Sequence, residues 1–124
     1  MFKGANFENS DDIKQFLKNY IIEGESTSED VEQILTHNAI KYSKSNLDIF
    51  PYPEDWHVVR DPRTPEFDTY IAFKIPNSAL KPRTLRQLWR GLLLKEFATV
   101  YRVFLLVKDN VVVYVHVIGD KIAL

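Results

Sequence analysis

The chain has 124 residues, which fits one domain and excludes a second independent hydrophobic core. Its composition, 45% hydrophobic and 27% charged, excludes general disorder, and its net charge of −1 argues against overall attraction to nucleic acid or acidic membranes. The lack of cysteine excludes disulfides, thiolate catalysis and cysteine-ligated metal centres, and favours a reducing compartment.

Two amphipathic helices are predicted in the N-terminal third of the chain. The first has Ser10 as its N-cap, and apolar residues recur at helical spacing over Ile13–Ile21. For the second helix, Ser26 and Glu29 fit a capping box, and the apolar spacing indicates an end near Tyr42.

The middle of the chain changes from helical to strand periodicity. Trp56–Arg60 is a short β-prone run, and Tyr70–Ile75 places alternate apolar side chains on one face of a strand. From Pro82 onward a third helix is predicted, because a leucine-rich stripe recurs at helical spacing with arginines opposite it. The outer face of this third helix is therefore basic.

The C-terminal part of the chain has the strongest β-strand pattern. Val100–Val107 and Val111–Ile118 flank Lys108-Asp109-Asn110, and a hairpin is predicted because Asp and Asn tolerate the left-handed geometry of tight turns. Both strands carry apolar residues at odd and at even positions. Because successive side chains of a strand point to opposite faces of the sheet, both faces are predicted to be covered by other parts of the structure. Lys121–Leu124 is predicted as a further short edge strand, open to pairing with a partner.

Neither export nor membrane insertion is expected. Met1–Ser10 lacks the basic and then apolar pattern of a signal peptide. The longest near-apolar run, Val111–Ile118, is less than half as long as a membrane span.

The sequence contains no motif for a metal ion or a nucleotide cofactor, so no cofactor is expected. His37, His57 and His116 lie on different predicted elements without ligand spacing, and the scattered glycines form neither a P-loop nor a dinucleotide fingerprint. A metal-free ribonuclease needs a general base, a general acid and a cation at the phosphate. For His57 and His116, core packing or a satisfied hydrogen bond is the favoured interpretation, because spacing places no acid–base partner near either.

Charge is unevenly distributed along the chain. Residues 81–102 hold six basic residues and one Glu, a net of +5, whereas residues 1–32 hold three Lys and eight acids, a net of −5. The basic segment is either a solvated helix face or a surface that contacts RNA phosphates. The candidates for RNA contact are Lys81, Arg83, Arg86, Arg90, Lys95 and Arg102.

From about Val31 to Leu124, the order of segments resembles a known family, the small non-catalytic subunit of the eukaryotic tRNA-splicing endonuclease. The order and spacing of five features carry the resemblance, which covers roughly three quarters of the chain. These features are a helix, the Trp-His-Val-Val strand at 56 to 59, a strand that ends in Phe73-Lys74-Ile75-Pro76, a helix with Leu85-Arg86-Gln87-Leu88, and a hairpin with Val112-Val113-Tyr114-Val115.

The resemblance implies an α/β (α+β) fold of the tRNA-intron endonuclease type, with a restriction-endonuclease-like mixed sheet flanked by helices. Residues 28–124 would form this domain, and residues 1–27 an N-terminal amphipathic helix and linker in the same compact unit. The implied role is structural and non-enzymatic, in a four-subunit complex that cleaves precursor tRNA at the intron splice sites. Catalytic relatives carry a Tyr, His, Lys triad, whereas here Arg102 stands near the place of the lysine.

The resemblance also implies a partner interface, because structural subunits of this family extend their C-terminal β-structure to a catalytic subunit. The implied compartment is the nucleus, or the cytoplasmic face of the mitochondrial outer membrane as in yeast relatives. Whether the isolated chain forms a homodimer through its exposed edge stays open at this point. The predicted interface is a mixed set of core and contact residues, namely Val111, Val113, Val115, Val117, Asp120, Ile122 and Leu124.

Two other functions stay open at this point. One is a stand-alone RNA-binding module that uses the basic helix and binds RNA with a strong salt dependence. The other is an active metal-free ribonuclease that uses His57 or His116 together with Lys95 or Arg102.

Overall fold

Two helices precede a four-stranded antiparallel sheet in the computed structural model, which describes residues 2–46, 65–81 and 96–123. The described strands follow one another across the sheet in chain order, so that among them the first and the fourth are outermost. An α+β fold is thereby confirmed. The elements are α1 (Ser10–Leu17), α2 (Ser28–His37), β1 (Tyr42–Asn46), β2 (Thr69–Lys74), β3 (Glu96–Lys108) and β4 (Val111–Ala123).

Two predicted elements lie outside the described residues. These are the strand at Trp56–Arg60 and the helix that was expected to begin at Pro82. The side chains at 96–99 and 120–123 also lie outside the described part, which gives only the backbone of β3 and β4 there.

Helix α1 is shorter than predicted and has a different N-cap. The side chain of Asn9 accepts a hydrogen bond from the backbone N–H of Asp12 at 3.0 Å, so Asn9 and not Ser10 is the capping residue. The helix ends at Leu17, and the chain then turns so that Ile21 is buried while Tyr20 is 41% exposed. The apolar spacing continued past the helix because the following turn also supplies a core residue.

Helix α2 also differs from its prediction at both ends. Its capping box joins Thr27 and Asp30, each of which accepts a hydrogen bond from the other's backbone N–H, and does not involve Ser26 with Glu29. The helix ends at His37, because Ala39 adopts a left-handed backbone with φ of 55°. The expected end near Tyr42 was wrong, since Tyr42 begins β1.

The strand and hairpin predictions are confirmed in the described residues. Ile71 and Phe73 of β2, and Ile75 directly after it, lie in one buried cluster, as the alternation over Tyr70–Ile75 predicts. The hairpin turns at Asp109 and Asn110, whose φ angles of 50° and 68° are both left-handed, the geometry preferred in two-residue hairpin turns. The separate terminal strand was wrong, because β4 runs without interruption from Val111 to Ala123 and pairs with β3 along its length.

Apolar side chains are buried on both faces of the sheet. The first face, which includes Val103 and Leu105, shares a core cluster with the buried side chains of α1 and α2. The second face buries Phe104 and Leu106 in a separate cluster with Phe67 and Tyr70. The prediction that both faces of the hairpin are buried is therefore confirmed. Burying each large apolar side chain stabilises the fold by about 1.5–3 kcal/mol.

A β-bulge changes which side chains of β4 share a face. Leu106 pairs with Tyr114 but Val107 pairs with Val112, so Val113 is the extra residue on β4. Val112 and Val115, three positions apart, consequently both lie in the core cluster on the helix-covered face. Strict alternation of the valines from position 111 onward does not hold.

The hairpin turn is tied to the N-terminus of α2. The side-chain amide of Asn110 donates to Glu29 Oε2 at 2.6 Å and accepts from the Ser28 hydroxyl, while the Ser28 N–H donates to the Asn110 carbonyl at 3.0 Å. This amide hydrogen bond lowers the pKa of Glu29 from its ordinary value. On the other side of the turn, the Asp109 N–H donates to Asp68 at 3.2 Å and lowers the pKa of that carboxyl.

Candidate interaction edge along β4

At its N-terminal end, the outer edge of β4 forms hydrogen bonds with the segment that joins α1 and α2. The Val112 N–H donates to the Ser26 carbonyl at 2.8 Å, and the Val112 carbonyl accepts from the Gly24 N–H at 2.7 Å. Gly24 has a φ of 85°, a conformation that L side chains rarely adopt. One step along the edge, the Val115 N–H donates to Glu23 Oε1 at 3.1 Å. Residues 23–28, which we call the edge segment, thus satisfy the first part of this strand edge.

Beyond Val115, none of the described strands pairs with the outer edge of β4. In an antiparallel ladder alternate residues turn their N–H and C=O groups toward the same neighbour. Tyr101 accepts from the Ile75 N–H and therefore faces β2, so its partner on β4, Gly119, faces away from β3. By the same alternation Val117 faces away from β3, which leaves its backbone groups directed to the outside of the sheet.

The predicted interface valines occupy different environments. Val115 is only 3% exposed and belongs to the core cluster on the helix-covered face, against which the half-buried Val117 also packs. Val113 packs against the opposite cluster, and Val111 is half-buried beside the turn. These four residues therefore do not form one face.

The structure describes the remaining predicted interface residues only in part. Asp120 and Ile122 lie within β4, opposite Val100 and Ala98 of β3, but their side chains are outside the described part. Leu124 lies outside the described residues altogether. Asp120 is thus a strand residue that pairs with β3.

Aromatic and basic side chains meet near the outer edge of β4. The rings of Tyr114 and His116 stack with centroids 5.9 Å apart and an interplanar angle of 23°. The Lys14 ammonium of α1 lies 5.2 Å from the centroid of the Tyr114 ring, within the range of a cation–π interaction. Neither Lys14 nor Tyr114 was among the predicted site residues, although the spacing of two aromatic residues by two positions places them on one face of a strand.

Two of the six candidates for RNA contact lie in the described residues. The Lys81 ammonium forms an ion pair with Glu8, which raises the pKa of Lys81. The Arg102 guanidinium lies 5.6 Å from the centroid of the Phe104 ring on the second face of the sheet. The structure thus does not bring Lys81 and Arg102 together through any described contact.

The other basic candidates and one of the histidines fall outside the described part of the chain. These residues are Arg83, Arg86, Arg90, Lys95 and His57. The described His116 faces Phe104 across the hairpin, and Arg102 is two residues before Phe104 on the same face.

Within residues 2–46, 65–81 and 96–123, no three His, Asp or Glu side chains are grouped so as to hold a metal ion. No helix in the same residues has the length and apolar character needed to cross a membrane. Comparison with known proteins finds no matching family model, no matching curated protein and no matching solved structure.

Proposed function

We propose that this chain is a non-catalytic structural subunit of a tRNA-splicing endonuclease complex, which cleaves precursor tRNA at the intron splice sites. In this proposal the chain stabilises and positions a catalytic subunit by strand pairing along the outer edge of β4. The observation that carries it is a 13-residue edge strand whose outward backbone groups beyond Val115 meet no described strand. Such an edge is a template for a strand from another chain.

The finer fold forms part of the same proposal. A tRNA-intron endonuclease-like domain is supported by the order of α2, β2 and the β3–β4 hairpin, which matches the order of segments in the resemblance. The restriction-endonuclease-like mixed sheet has no such support, because the four described strands pair antiparallel throughout. The long hairpin at the sheet edge is the element that supports the proposed assembly best.

A partner strand would be held by both its backbone and its side chains. The outward N–H and C=O groups of Val117 supply backbone hydrogen bonds, as an added edge strand requires. Val117 packs half-buried on the first face and Ile118 half-buried on the second, so a neighbouring strand would complete the burial of both. This arrangement supports a strand of another chain as the partner, and the resemblance implies that the other chain is the catalytic subunit.

The proposed chain has no catalytic role of its own. The six basic candidates, from Lys81 to Arg102, would add sequence-independent contacts to the RNA backbone within the complex. Because the ion pair with Glu8 already engages Lys81, we expect its contribution to RNA affinity to be the smallest of the six. The compartment would be that of the complex, the nucleus or the cytoplasmic face of the mitochondrial outer membrane.

The experiment is co-expression of the full chain with the catalytic endonuclease subunits, followed by size-exclusion chromatography with mass determination. Val117→Pro is the edge variant, because it removes an outward N–H that no β3 carbonyl accepts. Val117→Thr is the matched control, since it keeps the N–H and the branched side chain. Should the proline variant fold poorly, Val117→Lys leaves the backbone intact and places a charge at the edge.

The proposal expects a stable complex with the wild-type chain and with Val117→Thr, and loss of the complex with Val117→Pro or Val117→Lys. The isolated chain should leave precursor tRNA intact in a cleavage assay. Failure of the wild-type chain to co-purify with the catalytic subunits would refute the proposal.

One observation favours a second candidate function, a metal-free ribonuclease. His116 and Arg102 lie on the same face of the hairpin, within two residues of each other in register, so an imidazole and a phosphate-binding cation are near neighbours. This function predicts that the purified chain alone cleaves precursor tRNA and that His116→Ala abolishes the cleavage. The structural-subunit proposal predicts no cleavage by either protein.

A further inference from the structure

The outer edge of β4 changes from occupied to open between Val115 and Val117. Both backbone groups of Val112 form hydrogen bonds with backbone groups of the edge segment, whereas the Val115 N–H donates to a side chain, the Glu23 carboxylate, at 3.1 Å. Val117 and Gly119 direct their backbone groups to the outside of the sheet, where no described strand lies. Among the described residues, Glu23 therefore makes the last contact of the edge segment along this edge.

A turn closed by Ser26 holds Glu23 beside the strand. The Ser26 hydroxyl accepts a hydrogen bond from the Ile22 N–H at 2.9 Å, and the Ser26 N–H donates to the Ile22 carbonyl at 2.9 Å. On the N-terminal side of this turn Ile21 is buried in the core cluster, so the backbone turns away from the edge and does not pair with Val115. The side chain of Glu23 thus fills the acceptor position that a backbone carbonyl of an added strand would occupy.

The Glu23 carboxylate limits how far an added strand can pair with β4. An added strand offers one carbonyl to every second residue of the edge, which here means Gly119, Val117 and then Val115. The Val115 N–H is already bonded to a carboxylate, and hydrogen bonds to charged groups contribute more than hydrogen bonds to neutral carbonyls. Replacement of the carboxylate by a partner carbonyl is therefore unfavourable, and the pairing ends at Val117.

The surface around Glu23 is acidic, with an aliphatic side chain beside it. Glu23 and Glu25 are both exposed, and neither forms an ion pair with a residue that the structure describes. Residues 1–32 as a whole hold three lysines and eight acids, a net of −5. Directly before Glu23, the side chain of Ile22 is 52% exposed. A partner strand that ends here meets carboxylates, which favour a basic residue and repel an acidic one.

We propose that Glu23 ends the pairing of a partner strand at Val117 and selects a strand with Lys or Arg as its next residue. The ammonium or guanidinium group lies against the Glu23 carboxylate, which has two oxygens and keeps its hydrogen bond to the Val115 N–H. This role of Glu23 rests on the proposed function, because the partner strand belongs to the catalytic subunit. It adds the end point of the pairing and the charge of the partner residue that follows.

The end point is tested by hydrogen exchange in the complex of the full chain with the catalytic subunits, measured at single residues by mass spectrometry. In the wild-type complex, the amides of Val117 and Gly119 should exchange about tenfold more slowly than in the free chain, as gain of a hydrogen bond predicts. The Val115 amide should change by less than about twofold, because Glu23 already holds it. In Glu23→Ala the carboxylate is gone, so binding should slow the Val115 amide by about tenfold as well.

The charge is tested by the affinity of the catalytic subunits for three variants at low salt. Glu23→Gln keeps an oxygen that accepts from the Val115 N–H but removes the charge, and it should weaken binding about two- to fivefold, as loss of an exposed ion pair predicts. Glu23→Lys sets like charges against each other and should weaken binding more than about tenfold. Glu25→Gln is the matched control, because it makes the same change in net charge on an exposed side chain with no described contact to β4, and it should weaken binding less than about twofold.

Two results would overturn the role of Glu23 and leave the proposed function intact. The first is a wild-type complex in which the Val115 amide slows as much as the Val117 amide. The second is equal affinity of the wild-type chain and Glu23→Gln, or equal weakening by Glu23→Gln and Glu25→Gln. Absence of any complex with the wild-type chain would refute the proposed function, and the role of Glu23 with it. Because Glu23 and Glu25 are exposed, the substituted chains should fold like the wild-type chain.

Discussion

Alanine substitution at three neighbouring valines of β4 measures the bulge directly. Val112 is fully buried and Val115 is 3% exposed, both on the helix-covered face, whereas Val113 is half-buried on the opposite face. Val→Ala removes about two methylene equivalents, each worth about 0.8 kcal/mol when buried, and leaves a small cavity. We expect a loss of about 2 kcal/mol at Val112 and at Val115, and of about 1 kcal/mol or less at Val113.

The assay is thermal unfolding followed by circular dichroism. An unfolding entropy of about 2.1 cal/mol/K per residue gives about 0.26 kcal/mol/K for 124 residues, so a loss of 2 kcal/mol lowers Tm by about 8 °C. All three variants lose the same intrinsic strand preference, which makes each a control for the others. An equal fall in Tm for Val113→Ala and Val112→Ala would contradict the bulge, because Val113 would then be as deeply buried as Val112.

Three further outcomes are expected. The pKa values of Glu29 and Asp68 are lowered in the folded state from their ordinary values of 4.5 and 3.8. The two carboxylates therefore stabilise the fold above these ordinary values, and this stabilisation is lost as pH falls through the folded-state pKa values. The urea midpoint of unfolding should decline below about pH 4.5, and it should decline less steeply in Glu29→Gln. Ala39→Gly should raise the unfolding free energy by about 1 kcal/mol, because this exposed residue has a φ of 55°. Glu23→Ala should speed hydrogen exchange of the Val115 amide roughly two- to tenfold, as loss of one net hydrogen bond predicts.

Each of these outcomes has a result that would contradict it. An acid dependence as steep in Glu29→Gln as in the wild-type chain would contradict the role of the Asn110 hydrogen bond at Glu29. The Val112 amide donates to the Ser26 carbonyl and not to Glu23, so its exchange should not change in Glu23→Ala. A fall in stability on Ala39→Gly would contradict the left-handed end assigned to α2.

The hairpin was predictable because its signals are local. Asp109 and Asn110 tolerate left-handed backbone, and long apolar runs on both sides favour two buried strands. The bulge was not predictable, because valine occupies positions 111, 112 and 113 in succession and no alternation marks which of the three is the extra residue.

Strand β1 was missed for a different reason. Its five residues contain one apolar side chain, Tyr42, so they show no strand periodicity, and their pairing with β2 rests on backbone hydrogen bonds. The apolar spacing of α2 therefore appeared to extend to Tyr42, although Ala39 ends the helical path.

The row of basic residues formed by Lys41, Lys74 and Arg102 depends on sheet register and was not visible in the sequence. Lys41 and Lys74 are far apart along the chain and lie at the ends of two strands, one of which the sequence did not predict. The predicted basic cluster was defined by nearness in sequence. A charge cluster that forms across strands is found only once the register is known.

The contacts between the edge segment and β4 also have a consequence for the order of folding. The β3–β4 hairpin closes a two-residue turn, whereas the hydrogen bond between Ser28 and Asn110 joins residues 82 positions apart in the chain. Closing a long loop costs more conformational entropy than closing a short one, and non-local contacts form later for that reason. We therefore expect the hairpin to form first and to serve as the surface on which helices α1 and α2 dock, so that residues synthesised later organise residues synthesised earlier.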